Sequence, residues 1–158
     1  MTLLDKARAG QNALEQIVSA IPGYKGYRDR ELRRDADRLE REHLAERLET
    51  CKKGLNEAAA AVTRSGNLDA INDIETARKR LDKAIARIRH ADRGYSGFFD
   101  AVKVDEAALA RVYEFDLGLV GGVEEVVAAG GDVKALIARI DAMDARLSER
   151  EAILAGIK

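Results

Sequence analysis

Two apolar seams with helical spacing constrain the fold of this chain more than any other feature. In the first seam, side chains recur at alternating intervals of four and three residues: Leu44, Leu48, Cys51, Leu55, Ala58 and Val62. The second seam repeats the alternation and includes one arginine: Ile71, Ile74, Arg78, Leu81, Ile85 and Ile88. This spacing is typical of a helix that buries one stripe against a neighbouring helix. The sequence therefore predicts long helices over about 28–65 and from 68 to near Gly94.

The short joint between the seams, SGN at 65–67, predicts how these two helices are arranged. Gly66 suits a left-handed helix end, and Asn67 suits the N-cap of the helix that follows. Because so short a joint cannot carry the chain across the fold, the second helix is expected to return antiparallel to the first. At 1.5 Å per residue the first helix would be about 55 Å long, so the hairpin needs further helices to cover it.

Helical patterns continue on both sides of this hairpin. Pro22 disfavours helical geometry at the residue before it, whereas Asp105 and Asp132 suit N-caps. Further helices are therefore predicted over about 3–21, 106–129 and 132–155. The stretch FFDAVKV at 98–104 fits either a helical turn or an extended segment. No strand pattern is found, and the prediction is an all-α fold: one domain over 1–158, a bundle of about five helices built on a long antiparallel, coiled-coil-like hairpin.

The composition supports long helices and excludes a strong global field. Charged residues make up 35% of the chain, aromatic residues 4%, and there is one proline, which is typical of helical and coiled-coil proteins. The formal net charge is −1, which disfavours nucleic acid as a partner. The charge is unevenly spread, since 64–93 is basic and 100–158 is acidic. These two regions are expected to attract each other within the fold or between copies.

Cysteine content and hydropathy indicate a reduced, cytoplasmic protein. Cys51 is the one cysteine of the sequence, so no intramolecular disulfide or thiolate metal cluster is expected. Asp5 and Lys6 interrupt the apolar residues at the N-terminus, which disfavours a signal peptide. The longest apolar run, at 117–123, falls well short of the about 20 residues that span a bilayer.

No motif predicts a cofactor, a metal ion or an enzyme activity. Glu40 and His43 match half of the Glu-x-x-His arrangement found in di-iron helix bundles, but the second copy of that motif is missing. Cys51 lies in the first seam, where a small apolar residue is expected. The prediction is therefore a non-enzymatic protein without a cofactor.

Two glycine-bracketed loops hold most of the aromatic residues. They read PGYKGY at 22–27 and GYSGF at 94–98, and the first is followed by an arginine-rich run, RDRELRRDADRLERE, at 28–42. Tyrosine and arginine are enriched at the energetic centres of protein–protein interfaces. These segments therefore predict an interaction surface: Tyr24, Tyr27, Arg28, Arg30, Arg33, Arg34, Tyr95, Phe98 and Phe99. The alternative interpretation is that the rings plug the open end of the bundle.

The segments around both loops resemble a known group of proteins. Residues 21–42, IPGYKGYRDRELRRDADRLERE, and 91–109, ADRGYSGFFDAVKVDEAAL, are similar to small uncharacterised helical proteins of bacteria and archaea that share the PGYKGY loop. The similarity covers most of the chain. The resemblance implies that both loops are features of the fold, and it implies no chemistry because no secure activity is attached to the group.

Three functions are compatible with these features. The first is a non-enzymatic helical scaffold or adaptor that binds a protein partner or itself. The second is a peripheral membrane protein that resembles the stress-response coiled-coil proteins of the phage-shock class, although no helix combines a large apolar face with a lysine-rich flank. The third is an enzyme whose site is assembled from scattered carboxylates and arginines.

Overall fold

The predicted all-α fold is confirmed. The computed structural model describes residues 2–91, 98–99 and 103–156, and within these ranges it contains helices and turns but no strand. Five helices lie wholly within the described ranges: α1 (Leu3–Ala20), α2 (Arg33–Ser65), α3 (Leu68–Arg89), α4 (Glu106–Ala129) and α5 (Val133–Ala155). A 3₁₀ turn at Arg30–Leu32 precedes α2. Among the described helices, none combines the length and apolar character needed to cross a bilayer.

Four of the helices form a bundle of two antiparallel hairpins. Lys52 of α2 pairs with Asp82 of α3 at 2.9 Å, which fixes the first hairpin. In the second hairpin, Arg139 of α5 pairs with Glu125 of α4 at 2.9 Å. The hairpins lie side by side, so that α2 contacts α4 and α3 contacts α5, while α1 packs mainly on the outside of α4.

The caps that were expected from the sequence define the starts of three helices. Asn67, Asp105 and Asp132 each accept a hydrogen bond from the backbone N–H three residues later, at 3.2, 2.7 and 3.1 Å. Gly66 closes α2 in the left-handed conformation, with φ of 75°. These local signals set the boundaries because each one satisfies backbone groups that the helix end leaves unpaired.

Two helix boundaries differ from the prediction. The long helix begins at Arg33 instead of near residue 28, because Asp29 accepts from the N–H of Glu31 and caps a separate 3₁₀ turn. The third helix ends at Arg89, before Gly94, and the N–H of His90 bonds back to the preceding turn. Of the ambiguous stretch 98–104, Phe98 and Phe99 are helical and 103–104 are not, while 100–102 lie outside the described residues.

The two predicted seams meet in the core, but they do so only along part of the hairpin. Buried seam residues come from both helices: Leu44, Leu48 and Leu55 of α2, and Ile74, Leu81, Ile85 and Ile88 of α3. Between Leu55 and Ile74 no residue is fully buried, but Ala58, Ala59 and Val62 still pack against the core. Every residue from 63 to 69 is exposed, so the tip of the α2–α3 hairpin extends past the packed part of the bundle.

The basic and acidic regions of the sequence attract each other within the fold. Arg80 of α3 pairs with Asp141 of α5 at 2.5 Å. Arg87, farther along α3, pairs with Asp144 at 2.8 Å and with Glu151 at 3.1 Å. These ion pairs line the contact between α3 and α5, so the uneven charge distribution helps to align two neighbouring helices.

Two glycines are required by close approaches around α4. A Cβ on Gly10 of α1 would lie 2.4 Å from the Cβ of Ala110, so the absence of a side chain lets α1 and α4 touch. Gly26 has a φ of 83°, and a Cβ there would lie 2.7 Å from the Tyr113 hydroxyl. Gly26 therefore lets the first aromatic loop fold against α4.

Candidate functional site

A cluster of charged side chains is buried at the end of the bundle where α2 and α4 begin and α3 and α5 end. We call it the buried charge cluster, and its members are Tyr27, Asp37, Glu40, Arg41, Asp116 and Arg150. Each of them exposes 7% or less of its surface. Charged groups are rarely buried unless they are paired and hydrogen-bonded, so this cluster is the most unusual chemical feature of the described chain.

Arg150 of α5 lies at the centre of the cluster. Its Nε donates to Asp116 of α4 at 2.7 Å, and its Nη2 donates to Asp37 of α2 at 2.7 Å. The same Nη2 lies 3.1 Å from Glu40 Oε2 and 3.1 Å from the hydroxyl of Tyr27. One guanidinium thus joins three helices and the first aromatic loop.

Arg41 connects the cluster to the end of α3. Its Nε donates to Asp37 at 2.6 Å, and its Nη1 donates to the backbone carbonyl of Arg89 at 2.7 Å. The last carbonyls of a helix have no partner within the helix. Arg41 supplies one, and it thereby joins the C-terminal end of α3 to the start of α2.

Tyr27 brings the first aromatic loop into the cluster. Its hydroxyl donates to Asp116 at 2.9 Å, its backbone N–H donates to the Tyr113 hydroxyl at 2.8 Å, and the two rings stack with centroids 5.8 Å apart. Tyr27 also meets the ring of Phe98 edge-on at 5.1 Å. Arg33 donates to the carbonyl of Tyr27 at 2.8 Å and to that of Phe98 at 3.4 Å, and so holds both loops.

The predicted interaction surface is divided by this arrangement. Tyr24, Tyr27, Arg33, Phe98 and Phe99 expose 4% or less of their surface, so the described rings plug the end of the bundle, as in the alternative interpretation. The physical reason is that the hydroxyl of Tyr27 and the guanidinium of Arg33 find partners in the core. Tyr95 lies outside the described residues, whereas Arg28, Arg30 and Arg34 are exposed.

The exposed arginines stand beside two surface clefts. We use the term arginine face for Arg30, Arg34 and Arg38, which follow one another at intervals of four residues. The guanidinium of Arg34 lies over the ring of Phe99, 4.8 Å from its centroid. Phe99 lines both clefts. One, of about 300 Å³, is also lined by Arg30, Glu31 and Arg34, and the other, of about 140 Å³, by Arg34, Asp35, Asp37, Arg38 and Arg41.

Burial changes the acid–base properties of the cluster. Burial, followed by the neighbouring charge of Asp116, raises the pKa of Glu40 well above its ordinary value. Burial likewise raises the pKa of Tyr27. For Arg150, burial alone would lower the pKa, but Asp116 and the other acidic neighbours outweigh it and raise the pKa well above its usual range. Glu40 is therefore the carboxyl group that favours its neutral form.

The arrangement places two carboxyl groups, of Glu40 and Asp116, around the same guanidinium nitrogen of Arg150, and a pair of carboxyl groups is an arrangement used in acid–base chemistry. Glu40 and Asp116 are both 0% exposed, however, so no substrate reaches them in this conformation. The third function considered above, an assembled enzyme site, would require the end of the bundle to open.

Among the described residues, no group of three acidic, histidine or cysteine side chains is arranged to hold a metal ion. Glu40 contacts the guanidinium of Arg150, while His43 is half-buried on the same helix. Cys51 packs against the core, and burial raises the pKa of its thiol, which disfavours the reactive thiolate.

Tyr27 is the one cluster member among the predicted site residues, and two of the members that were missed, Arg150 and Asp116, each left a signal in the sequence. Arg150 falls in the apolar stripe of α5, between Leu147 and Leu154. Asp116 falls in the corresponding stripe of α4, between Val112 and Leu119. A single charge at a core position of an amphipathic helix indicates a buried partner of opposite charge, since an unpaired one would be strongly unfavourable.

The known proteins add no further constraint on the site. Comparison of the chain with protein-family models, with curated proteins and with solved structures gives no match. The buried charge cluster and the arginine face are therefore the two features of the chain that bear on its function.

Proposed function

We propose that this protein is a non-enzymatic helical scaffold or adaptor that docks an acidic segment of a partner protein on its arginine face. The observation that carries the proposal is the exposure of Arg30, Arg34 and Arg38 along one side of the start of α2, next to Phe99. Arginine is one of the residues enriched at interface hot spots. A cytoplasmic location is part of this proposal.

The arginine face rests on a well-packed base. Arg34 lies over Phe99, whose ring packs against Phe98 at 5.4 Å, and Phe98 in turn packs against Tyr27. This series of contacts leads directly to the buried charge cluster. Side chains that are held in place before binding lose less conformational entropy when a partner docks, which favours a role in recognition.

Two arginines of the face, Arg30 and Arg38, can pair with a carboxylate from a partner, although exposed acidic residues lie in the same segment. Arg38 pairs with Asp35 at 3.2 Å, but both side chains are more than 60% exposed, so this pair contributes little. Within the described residues, Arg30 has no carboxylate within 4.0 Å, although Glu31 is adjacent in sequence. A glutamate or aspartate from a partner can therefore pair with these arginines, and bidentate pairing with carboxylates is the geometry that guanidinium groups prefer.

The first experiment measures the binding of a fluorescent glutamate-rich peptide by anisotropy at low salt, with a lysine-rich peptide as the charge control. The test variant is Arg30→Glu with Arg38→Glu. Its matched control is Lys53→Glu with Arg64→Glu, which makes the same charge change at exposed positions farther along α2. We expect binding of the acidic peptide to weaken at least about tenfold in the test variant only, and to weaken with added salt.

Other outcomes separate the alternatives. Equal weakening in both variants, or no binding of the acidic peptide, would overturn docking at the arginine face. Flotation with vesicles that contain anionic lipid provides the membrane arm. Binding of wild type to these vesicles without binding to the acidic peptide would favour the peripheral membrane function instead. A change of sedimentation coefficient with protein concentration would indicate self-association.

A partner can then be located in cells. A photo-cross-linking amino acid in place of Glu31, which lines the larger cleft, should cross-link to a segment rich in aspartate and glutamate. The same replacement at Lys53 serves as the control. Cross-links to neutral or basic segments from Glu31 would contradict the proposed chemistry of the partner.

A further inference from the structure

The buried charge cluster contains more acidic groups than basic groups. Among the described residues, three carboxyl groups, of Asp37, Glu40 and Asp116, contact two guanidinium groups, of Arg41 and Arg150, and all five side chains are at least nine-tenths buried. The third buried guanidinium, of Arg33, donates to the backbone carbonyls of Tyr27 and Phe98. An uncompensated charge at a fully buried position is strongly unfavourable. The cluster is balanced if it also holds one proton.

The hydrogen bonds indicate which carboxyl group holds that proton. Asp37 accepts from Arg41 at 2.6 Å and from Arg150 at 2.7 Å. Asp116 accepts from Arg150 at 2.7 Å and from Tyr27 at 2.9 Å. Glu40 Oε2 has only longer contacts, at 3.1 Å to Arg150 and 3.4 Å to Tyr27, and Glu40 Oε1 has no partner. Glu40 is thus the carboxyl group that is least stabilised as an anion.

The acceptors around Arg150 Nη2 support the same assignment. Its Nη2 carries two hydrogens, yet four acceptors lie within 3.3 Å of it: Asp37, Tyr27, Glu40 and Asp116. Asp37 is the nearest of them. A proton on Glu40 removes one competitor and supplies a further donor. Glu40 and Asp116 are neighbours because both contact this Nη2, at 3.1 and 3.3 Å.

We propose that the carboxyl groups of Glu40 and Asp116 form a proton-binding site, and that release of the shared proton opens this end of the bundle. The titratable and charged groups that face the pair come from the first loop (Tyr24, Tyr27), α2 (Asp37, Arg41), α4 (Tyr113) and α5 (Arg150). The contribution of α3 is the carbonyls of Ile88 and Arg89, which accept from Arg41. Release of the proton leaves one more negative charge than positive in this set.

Release of the proton acts on the contacts that hold separate elements together. Repulsion between Glu40 and Asp116 weakens the contacts that both make with Arg150 and Tyr27. Those two residues connect α5 and the first loop to the rest of the bundle. The last turns of α5 and the loop are therefore the parts that open, while the seam between α2 and α3 stays closed.

The protonation state is tested by NMR on protein labelled with ¹³C at the glutamate side-chain carboxyls. We expect one glutamate signal in wild type to titrate at a pH well above the usual range of glutamate side chains. This signal should be absent from Glu40→Gln and present in Glu42→Gln, the control at an exposed position of the same helix. Titration of every glutamate within the usual range would overturn the proposal.

Sharing of the proton is tested with Asp116→Asn, which keeps the shape of the side chain and removes its charge. We expect the titration midpoint of Glu40 to fall by about one pH unit or more, because the neighbouring negative charge is lost. An unchanged midpoint would show that burial alone holds the proton and would overturn the shared site.

Opening of this end of the bundle is tested by amide hydrogen exchange between pH 6 and pH 9, corrected for the intrinsic exchange rate at each pH. We expect protection of the Tyr27 amide, which donates to the Tyr113 hydroxyl, and of the amides near Arg150 to fall at least about tenfold in wild type and to stay constant in Glu40→Gln. Constant protection in wild type, or an equal fall in both proteins, would overturn the switch. Because no partner is needed, the result is independent of docking at the arginine face.

Discussion

Arg150 and Asp116 are joined at the centre of the bundle end by a 2.7 Å hydrogen bond between Nε and Oδ1, although they belong to different helices. Neither residue is exposed to any useful extent, at 3% and 0%. The bond couples α4 to α5, and through the contact of Arg150 with Asp37 it couples both to α2. The effect of removing Arg150 follows directly from this relationship.

Replacement of Arg150 by methionine should destabilise the protein strongly. It would leave the buried carboxylates of Asp37 and Asp116 without their shared cation, and loss of one partner of a buried ion pair typically costs about 3–5 kcal/mol. Equilibrium unfolding in urea measures the loss. The control is Arg139→Met on the same helix, whose partner Glu125 is 55% exposed, and whose loss should amount to less than about 1 kcal/mol. Similar losses for the two variants would refute the central role of Arg150.

Two tyrosines of the first loop should respond differently to loss of their hydroxyl groups. Tyr27→Phe removes the donor to Asp116 and should cost about 1–3 kcal/mol in the free energy of unfolding. Tyr24→Phe removes a buried hydroxyl that has no hydrogen-bond partner, so it should be neutral or slightly stabilising. Thermal and chemical unfolding of both variants checks this, and a larger loss for Tyr24→Phe would contradict the assigned contacts.

Stability should fall as pH rises because of Glu40. Its pKa is higher in the folded than in the unfolded chain, chiefly through burial and then Asp116, so the folded state binds more protons. The contribution is fully present below the unfolded pKa of about 4.3 and is lost as the pH rises through the folded pKa. Unfolding free energies of wild type and Glu40→Gln, compared from pH 4 to 9, should diverge in this direction. A difference that is constant with pH would rule out this assignment.

Glycine-to-alanine changes should separate glycines that are needed from glycines that are tolerated. Gly54 in α2 and Gly121 in α4 have no atom within 4 Å of an added Cβ, so each alanine should stabilise its helix by about 0.5–1 kcal/mol. Gly10→Ala would instead drive a Cβ to 2.4 Å from that of Ala110 and separate α1 from α4. Melting temperatures should rise for the first two variants and fall for the third. Stabilisation by Gly10→Ala would show that the α1–α4 contact is looser than described.

The hairpin and the helix caps could be predicted from the sequence because they depend on nearby residues. Asn67 caps α3 through an amide three residues away, and the seams are defined by spacing within each helix. The buried charge cluster could not be predicted in this way, since Tyr27 and Asp116 are 89 positions apart. Helical spacing shows that Arg150 lies on an apolar stripe, but only the packing of α4 and α2 against α5 identifies its partners.

The burial of the aromatic loops could not be predicted from the sequence either. Their composition suits a docking patch as well as a core plug, and the choice depends on whether each hydroxyl or guanidinium finds a partner inside. Tyr27 and Arg33 do so through Asp116 and the carbonyl of Phe98. Arg30 is exposed, and the proposed docking function depends on it and its neighbours.

The projecting tip of the α2–α3 hairpin is an arm, and a change in its length would not alter the buried charge cluster at the opposite end of the bundle. No residue between Leu55 and Ile74 is buried, so the arm can fray without global unfolding. Insertion or deletion of whole heptads in both helices of the hairpin would preserve its seam and leave the bundle unaltered. Natural variation in size, and engineered insertions at the turn around Gly66, should therefore concentrate in this arm.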